Sequence, residues 1–206
     1  MLNLFIGSIG ACSLASHIAL EEASADYKVT RLDLAKGDQK TADYLKVNPK
    51  ARVPALVTNQ GIITENPAIL MYIAQTHPKA KLAPLDDPFA LAQIQAFNSY
   101  LCSTVHPAHA HKMRGYRWAD DPAVIDAMKI KVPQNMTDCF AIIDKEYFKG
   151  PWLMGKDFSI SDIYLYTIAT WLEGDSVDVS KFPRITDHHS RMEQRPAVKK
   201  VRASYS

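Results

Sequence analysis

The chain has 206 residues, 47% of them hydrophobic, with 24 Lys and Arg against 22 Asp and Glu. That length holds one large domain or two small ones with real cores, and so even a charge balance points away from nucleic acid or an anionic membrane. The opening Met1–Ile6 is too short and lacks the basic flank of a secretory signal, no apolar run nears the roughly 20 residues of a spanning helix, and three scattered cysteines (Cys12, Cys102 and Cys139) make no disulfide framework, so a reducing cytoplasm is the expected home.

In chain order, Leu2 to Ile6 reads as a strand and Ser13 to Glu22 as a helix with Leu14, Ala15 and Ile18 on one face. Tyr27 to Leu34 is rich enough in β-formers for a second strand. A polar stretch follows, then Val53 to Val57, a Gln60-Gly61 turn, Ile62-Ile63-Thr64, and a helix from Pro67 to about Gln75. The order is β-α-β-α-β-β-α, an α/β pattern with a mixed sheet. From Pro78 to Pro88, three prolines in eleven positions forbid regular helix and mark a linker. Beyond it the spacing is helical nearly to the end, with breaks at Asp120-Asp121-Pro122, Lys149-Gly150-Pro151 and Gly174 to Pro183. The expected units are an α/β domain over 1–77, a linker over 78–88 and an all-helical domain over 89–206. Ser159-Ile160-Ser161-Asp162 has the form of a capping box, with Asp162 in place of the usual Glu or Gln; it carries no chemistry.

Three segments carry candidate chemistry. Gly10-Ala11-Cys12-Ser13-Leu14-Ala15 puts a cysteine at a helix N-terminus, where unpaired N–H groups and the helix dipole favour thiolate and should lower its pKa. A small buried hydrophobe is the equal alternative for Cys12. In Asn48-Pro49-Lys50-Ala51-Arg52-Val53-Pro54, a proline entering an edge strand is either a cis peptide, which turns the Val53 N–H and C=O outward to pair with an extended peptide, or a plain strand start. In Thr64-Glu65-Asn66-Pro67, Asn66 suits an N-cap and Pro67 the first helical position. The free N–H groups there suit a carboxylate and Glu65 an ammonium, the two charges of an α-amino acid end; simple capping with a solvated Glu65 is the alternative.

Together these segments resemble the glutathione S-transferases, and the small-Cys-Ser-Leu context of Cys12 resembles the cysteine-containing beta class of bacteria. The resemblance spans nearly the whole chain, including the Pro-rich linker, the Ser159–Asp162 box and Arg191-Met192-Glu193-Gln194-Arg195-Pro196. It implies a thioredoxin-like N-terminal domain, a helical second domain, a cytoplasmic homodimer, and a detoxifying transferase that uses glutathione as co-substrate without a metal. Cys12, Ser13 and His106 are implied as catalytic. Lys36, Val53, Pro54, Glu65, Asn66, Ser99, Ser103 and His106 join Cys12 in holding glutathione, with Ser99 where the family takes a contact from the partner subunit. His109, Met113 and Tyr116, with Trp118 beside them, are implied as walls of the electrophile pocket. The sequence departs from the pattern at Asn66, where many relatives carry Ser or Gly, and at Pro107, where many carry Lys; Lys36 stands a residue off the expected alignment.

Rival readings are weaker. His106 and His109 share a helix face, but no carboxylate joins them at ligand spacing. A G-x-G-x-x-G and a C-x-x-C are both absent, which excludes a dinucleotide loop and a dithiol oxidoreductase. Conjugation of glutathione to hydrophobic electrophiles is the main expectation. Thiol-disulfide reduction through a Cys12 mixed disulfide and a non-catalytic glutathione-binding stress adaptor are the alternatives.

Overall fold

Four short runs build the sheet: β1 (Leu2–Ile6), β2 (Tyr27–Arg31), β3 (Ala55–Val57) and β4 (Ile62–Thr64). The computed structural model, which describes residues 1–205, orders them β2-β1-β3-β4. β1 and β2 run parallel, joined by a crossover through α1 (Ser13–Glu22), and the other two pairings are antiparallel. Two strands are shorter than their composition predicts. β2 ends at Arg31 because the Asp33 carboxylate turns the chain, accepting from the N–H of Ala35 and of Lys36. β3 starts at Ala55 rather than Val53 because Pro54 has no N–H for the ladder and the Val53-Pro54 peptide is cis. The polar stretch between them folds as one turn, Asp38–Lys40, and then α2 (Ala42–Val47), whose N-terminus is capped by Thr41. α3 (Asn66–Thr76) closes the mixed-sheet half, so this part is the expected thioredoxin-like unit.

The rest is helical: α4 (Pro88–Tyr100), α5 (His106–Arg114), α6 (Pro122–Ile142), α7 (Ile160–Ala169), α8 (Pro183–Gln194) and α9 (Pro196–Ala203). α4 and α5 are one continuous run widened into a π turn over Leu101–Val105. Its cause is in the sequence. Pro107 has no N–H to give the Ser103 carbonyl four residues back, and the helix widens to pass it.

α1 joins the halves. Every residue from Ser13 to Leu20 is buried, walled by the sheet, α3, α7 and α9, so its apolar character on all sides is a packing requirement. At its C-terminal end Glu22 takes a two-pronged bond from Arg195, one prong at 2.8 Å, and Glu21 accepts from Lys200 and from Tyr27 at 2.6 and 2.9 Å. At its N-terminal end Trp171 Nε1 donates to the Gly10 carbonyl at 2.9 Å, across 161 positions of sequence.

The capping box forms and does more than cap. Asp162, fully buried, accepts from Ser159 N–H and Ser159 Oγ through one oxygen, at 2.9 and 3.0 Å. Its other oxygen takes the Leu153 N–H at 3.0 Å and meets His188 Nε2 at 3.1 Å. One carboxylate thus anchors the start of α7, the loop before it, and α8.

Candidate active site

Three loops and one helix junction meet above the C-terminal end of β1: the turn before α1, the cis Val53-Pro54 bond, the Glu65-Asn66 corner before α3, and the passage from α4 to α5. They enclose two adjoining cavities. The smaller, about 120 Å³, is lined by Cys12, Val53, Glu65, Asn66, His106 and Tyr164 among others. The larger, about 270 Å³, is lined by Gly10, Cys12, His109, Met113, Tyr116 and Trp171 among others. Cys12, Arg52, Val53, His106 and Arg117 belong to both, so Cys12 and His106 stand at the passage between them.

Cys12 occupies the N-cap position of α1, but its Sγ turns away from the helix to donate to the Val53 carbonyl at 3.4 Å. Burial pushes the thiol up to about 11; Arg114 and Arg52 oppose this and do not overcome it. The lowered pKa expected at a helix terminus is therefore reversed. The group is desolvated, the Glu65 carboxylate adds to the rise, and the hydrogen bond that Sγ gives to the Val53 carbonyl uses the thiol proton. The Val53 N–H, by contrast, has no hydrogen-bond partner among the described residues.

The Glu65-Asn66 corner also departs from expectation. Glu65, not Asn66, stands at the N-cap of α3, in a left-handed backbone conformation with φ of 75°. Asn66 lies inside the helix and is buried. Its amide donates to the Cys12 carbonyl at 2.8 Å and its oxygen accepts from Ser16 at 2.7 Å. Asn66 thus pins the turn that carries Cys12, and the first-turn N–H groups of α3 are left without a side-chain cap. The Glu65 carboxylate is exposed and paired with Lys50.

His106 packs its ring against Trp171, with centroids 4.9 Å apart. Burial, then the neighbouring His109 and the cavity's arginines, hold it down to about 4, so it is a neutral imidazole at pH 7. His17, buried in α1, is likewise held down to about 4, chiefly by burial. The unfolded chain takes up both protons near pH 6.5, and the folded chain refuses them until about pH 4. Stability should therefore fall as the pH drops through that window, by up to roughly 3 kcal/mol for the buried His17 and less for the half-buried His106. Urea unfolding at pH 7, 5.5 and 4 measures this, and His17→Gln should flatten the dependence by about half or more.

The N- and C-terminal domains of glutathione S-transferases match residues 2–75 and 110–205. Glutathione S-transferase GstA of Escherichia coli O157:H7 is 31% identical over 92% of each chain. The chain belongs to the glutathione S-transferase family. A glutathione transferase homologue from Sulfitobacter, solved with bound glutathione, is 42% identical and superposes with a TM-score of 0.95 over 99% of this chain and 98% of its own. A beta-class glutathione S-transferase of Sphingomonas chungbukensis is 34% identical, with a TM-score of 0.87 over 99% and 98% of the two chains.

Among the implied transferase residues, the fold brings Cys12, Val53, Pro54, Glu65, Asn66 and His106 round the smaller cavity, and His109, Met113 and Tyr116 round the larger. Others fall elsewhere. Ser13, implied as catalytic, is fully buried and accepts from the Gly7 N–H at 3.1 Å, so its hydroxyl clamps β1 to α1 instead. Lys36 is 81% exposed, paired with Asp33 at 3.3 Å, and lines neither cavity. Ser99 and Ser103 are exposed on the α4–α5 run and line neither cavity within this one chain; Cys102, between them, faces the smaller one. Arg52, Arg114, Arg117 and Tyr164 also line the two cavities, and no catalytic motif marks them as site residues. Arg52 alone carried a usable signal, a cation directly before the Val53-Pro54 bond. Among the described residues no cluster of three or more His, Cys, Asp or Glu suits a metal ion, and no helix is long and apolar enough to cross a membrane.

Proposed function

We propose that this chain is a beta-class glutathione S-transferase that seats glutathione in the smaller cavity and joins its sulfur to a hydrophobic electrophile held in the larger. The observation that carries the reading is the set of unfilled bonds round the smaller cavity. The free Val53 N–H offers an edge to the cysteinyl segment of the peptide. The uncapped first turn of α3 suits the γ-glutamyl carboxylate, and Glu65 suits its ammonium. A peptide laid from Glu65 to Val53 brings its thiol to Cys12 and His106, at the opening into the larger cavity. There Cys12, as a neutral thiol, donates a hydrogen bond to the glutathione thiolate. Arg52, Arg114 and Arg117 supply positive potential, and a helix terminus favours the same anion. With Lys36 turned outward, Arg52 and Arg117, which line both cavities, suit the glycyl carboxylate.

The same reading includes a cytoplasmic homodimer that clears electrophiles, with Ser99 and Ser103 of the exposed α4–α5 run at the subunit contact. It divides the chain at 1–77 and 89–206. In support, α3 ends at Thr76, and only the single turn Pro78–Ala80 precedes α4.

Purified protein should be retained on glutathione-agarose and should conjugate a chlorodinitroarene; failure at both overturns the proposal. Cys12→Ala should lower conjugation about tenfold, the worth of one hydrogen bond to an anion. Loss of a thousandfold or more would instead assign the sulfur a covalent role.

A further inference from the structure

The larger cavity holds a histidine with a carboxylate behind it. His109 Nδ1 lies 2.7 Å from Oδ2 of Asp175, whose side chain is 1% exposed. A carboxylate only accepts, so Nδ1 carries the hydrogen and Nε2 faces forward. The ring is fixed in its plane as well. It stacks on Trp171 at 4.2 Å and 22°, and the indole is itself tied to the Gly10 carbonyl. Nε2 has no protein partner among the described residues and is open to the cavity that Cys12 and His106 also line.

We propose that His109 is a catalytic acid in this cavity, with Asp175 as its positioning residue, serving acceptors whose product anion must take a proton: epoxides and α,β-unsaturated carbonyls. The inference rests on the conjugation reading above and adds the acceptor class to it. With an epoxide, the glutathione sulfur forms the C–S bond and the ring C–O bond breaks. Its electron pair passes to oxygen, and the alkoxide takes the proton from Nε2 of the imidazolium. With an unsaturated carbonyl, sulfur adds at the β carbon and the resulting enolate takes that proton. The imidazole recovers a proton from water, matching the one that the glutathione thiol released, so the net reaction is addition of glutathione. An aryl chloride needs no such acid, because chloride leaves with its electron pair unprotonated.

His106 is the poorer donor of the two, being neutral over the working range. The surroundings of His109 otherwise tend to oppose a cation. His106, Lys112 and Arg114 share its helix, Tyr116 and Arg117 follow, and Arg52 and Cys12 face it across the cavity. Lys112 Nζ also lies 3.6 Å from Oδ1 of Asp175. Among the described residues the buried Asp175 carboxylate is the one anion in contact with the ring.

The test compares wild type, His109→Gln and Asp175→Asn with styrene oxide, an α,β-unsaturated ketone and a chlorodinitroarene, between pH 6 and 9. His109→Gln should lower kcat/KM for the epoxide and the ketone at least tenfold more than for the aryl halide, in keeping with the roughly 10²–10⁴-fold worth of a positioned acid. In the wild type, kcat for the epoxide should fall as rising pH removes the imidazolium proton. That limb should vanish in His109→Gln and move to lower pH in Asp175→Asn. Equal losses for all three acceptors, or a limb that survives His109→Gln, overturn the assignment. A wild-type protein that turns over the aryl halide but neither of the others also overturns it, with conjugation intact. One that turns over none of the three removes the conjugation reading itself.

Discussion

Asp162→Ala should cost about 3–5 kcal/mol of folding stability, the range for removing one member of a buried charged network. The effect comes from the partners left behind. The N–H groups of Leu153 and Ser159, the Ser159 hydroxyl and the His188 ring all point at this one carboxylate, and all are buried. Without it, each is a polar group with neither protein nor water to bond. Ser159→Ala removes only the reciprocal cap and should cost about 1 kcal/mol. Urea denaturation of the two variants separates a local cap from a shared anchor: comparable losses would mean that the carboxylate is nothing more than a cap.

Glu65→Gly should separate stability from binding, raising the one and lowering the other. A non-glycine residue at φ of 75° stores about 1–3 kcal/mol of backbone strain. Glycine relieves much of it and returns about 0.5–1 kcal/mol as lost chain freedom. The exposed pair with Lys50 contributes little, so the net gain is roughly 1 kcal/mol. Glutathione affinity should meanwhile fall by about 1.5–3 kcal/mol through loss of a charge-assisted bond to the ammonium, or roughly 10- to 150-fold. Urea midpoints and calorimetric titration with glutathione measure the two halves. A variant that loses stability would show that the corner is relaxed, and one that binds normally would remove Glu65 from the site.

Local signals served well wherever the deciding contacts are close in sequence. The capping box at Ser159, the irregular start of β3 at Pro54 and the helix start near Pro67 are all written within a few residues of where they act. The failures share the opposite property. The helix terminus of Cys12 favours a low pKa, but the burial packed around its sulfur by distant parts of the chain, with Glu65 adding to it, decides the sign. Asn66 looked like a cap because caps are read locally, while its actual bonds reach back 50 and 54 positions to Ser16 and Cys12. Ser13 shares the legible motif with Cys12, yet one step round the helix turns it into the core. His109 was legible as a cavity wall, but the carboxylate behind it is 66 positions away in a loop with no motif. Lys36 illustrates another limit: a lysine's reach does not say which carboxylate it will find first, and Asp33 is nearer.

The burial of α1 also shapes the birth of the chain. Its residues are made well before the helices that cover two of its sides, since α7 and α9 begin only at Ile160 and Pro196. At about 5–20 residues per second, α1 waits on the order of ten seconds or more with apolar surface uncovered. That exposure ends only when α9 brings Arg195 and Lys200 down onto Glu22 and Glu21.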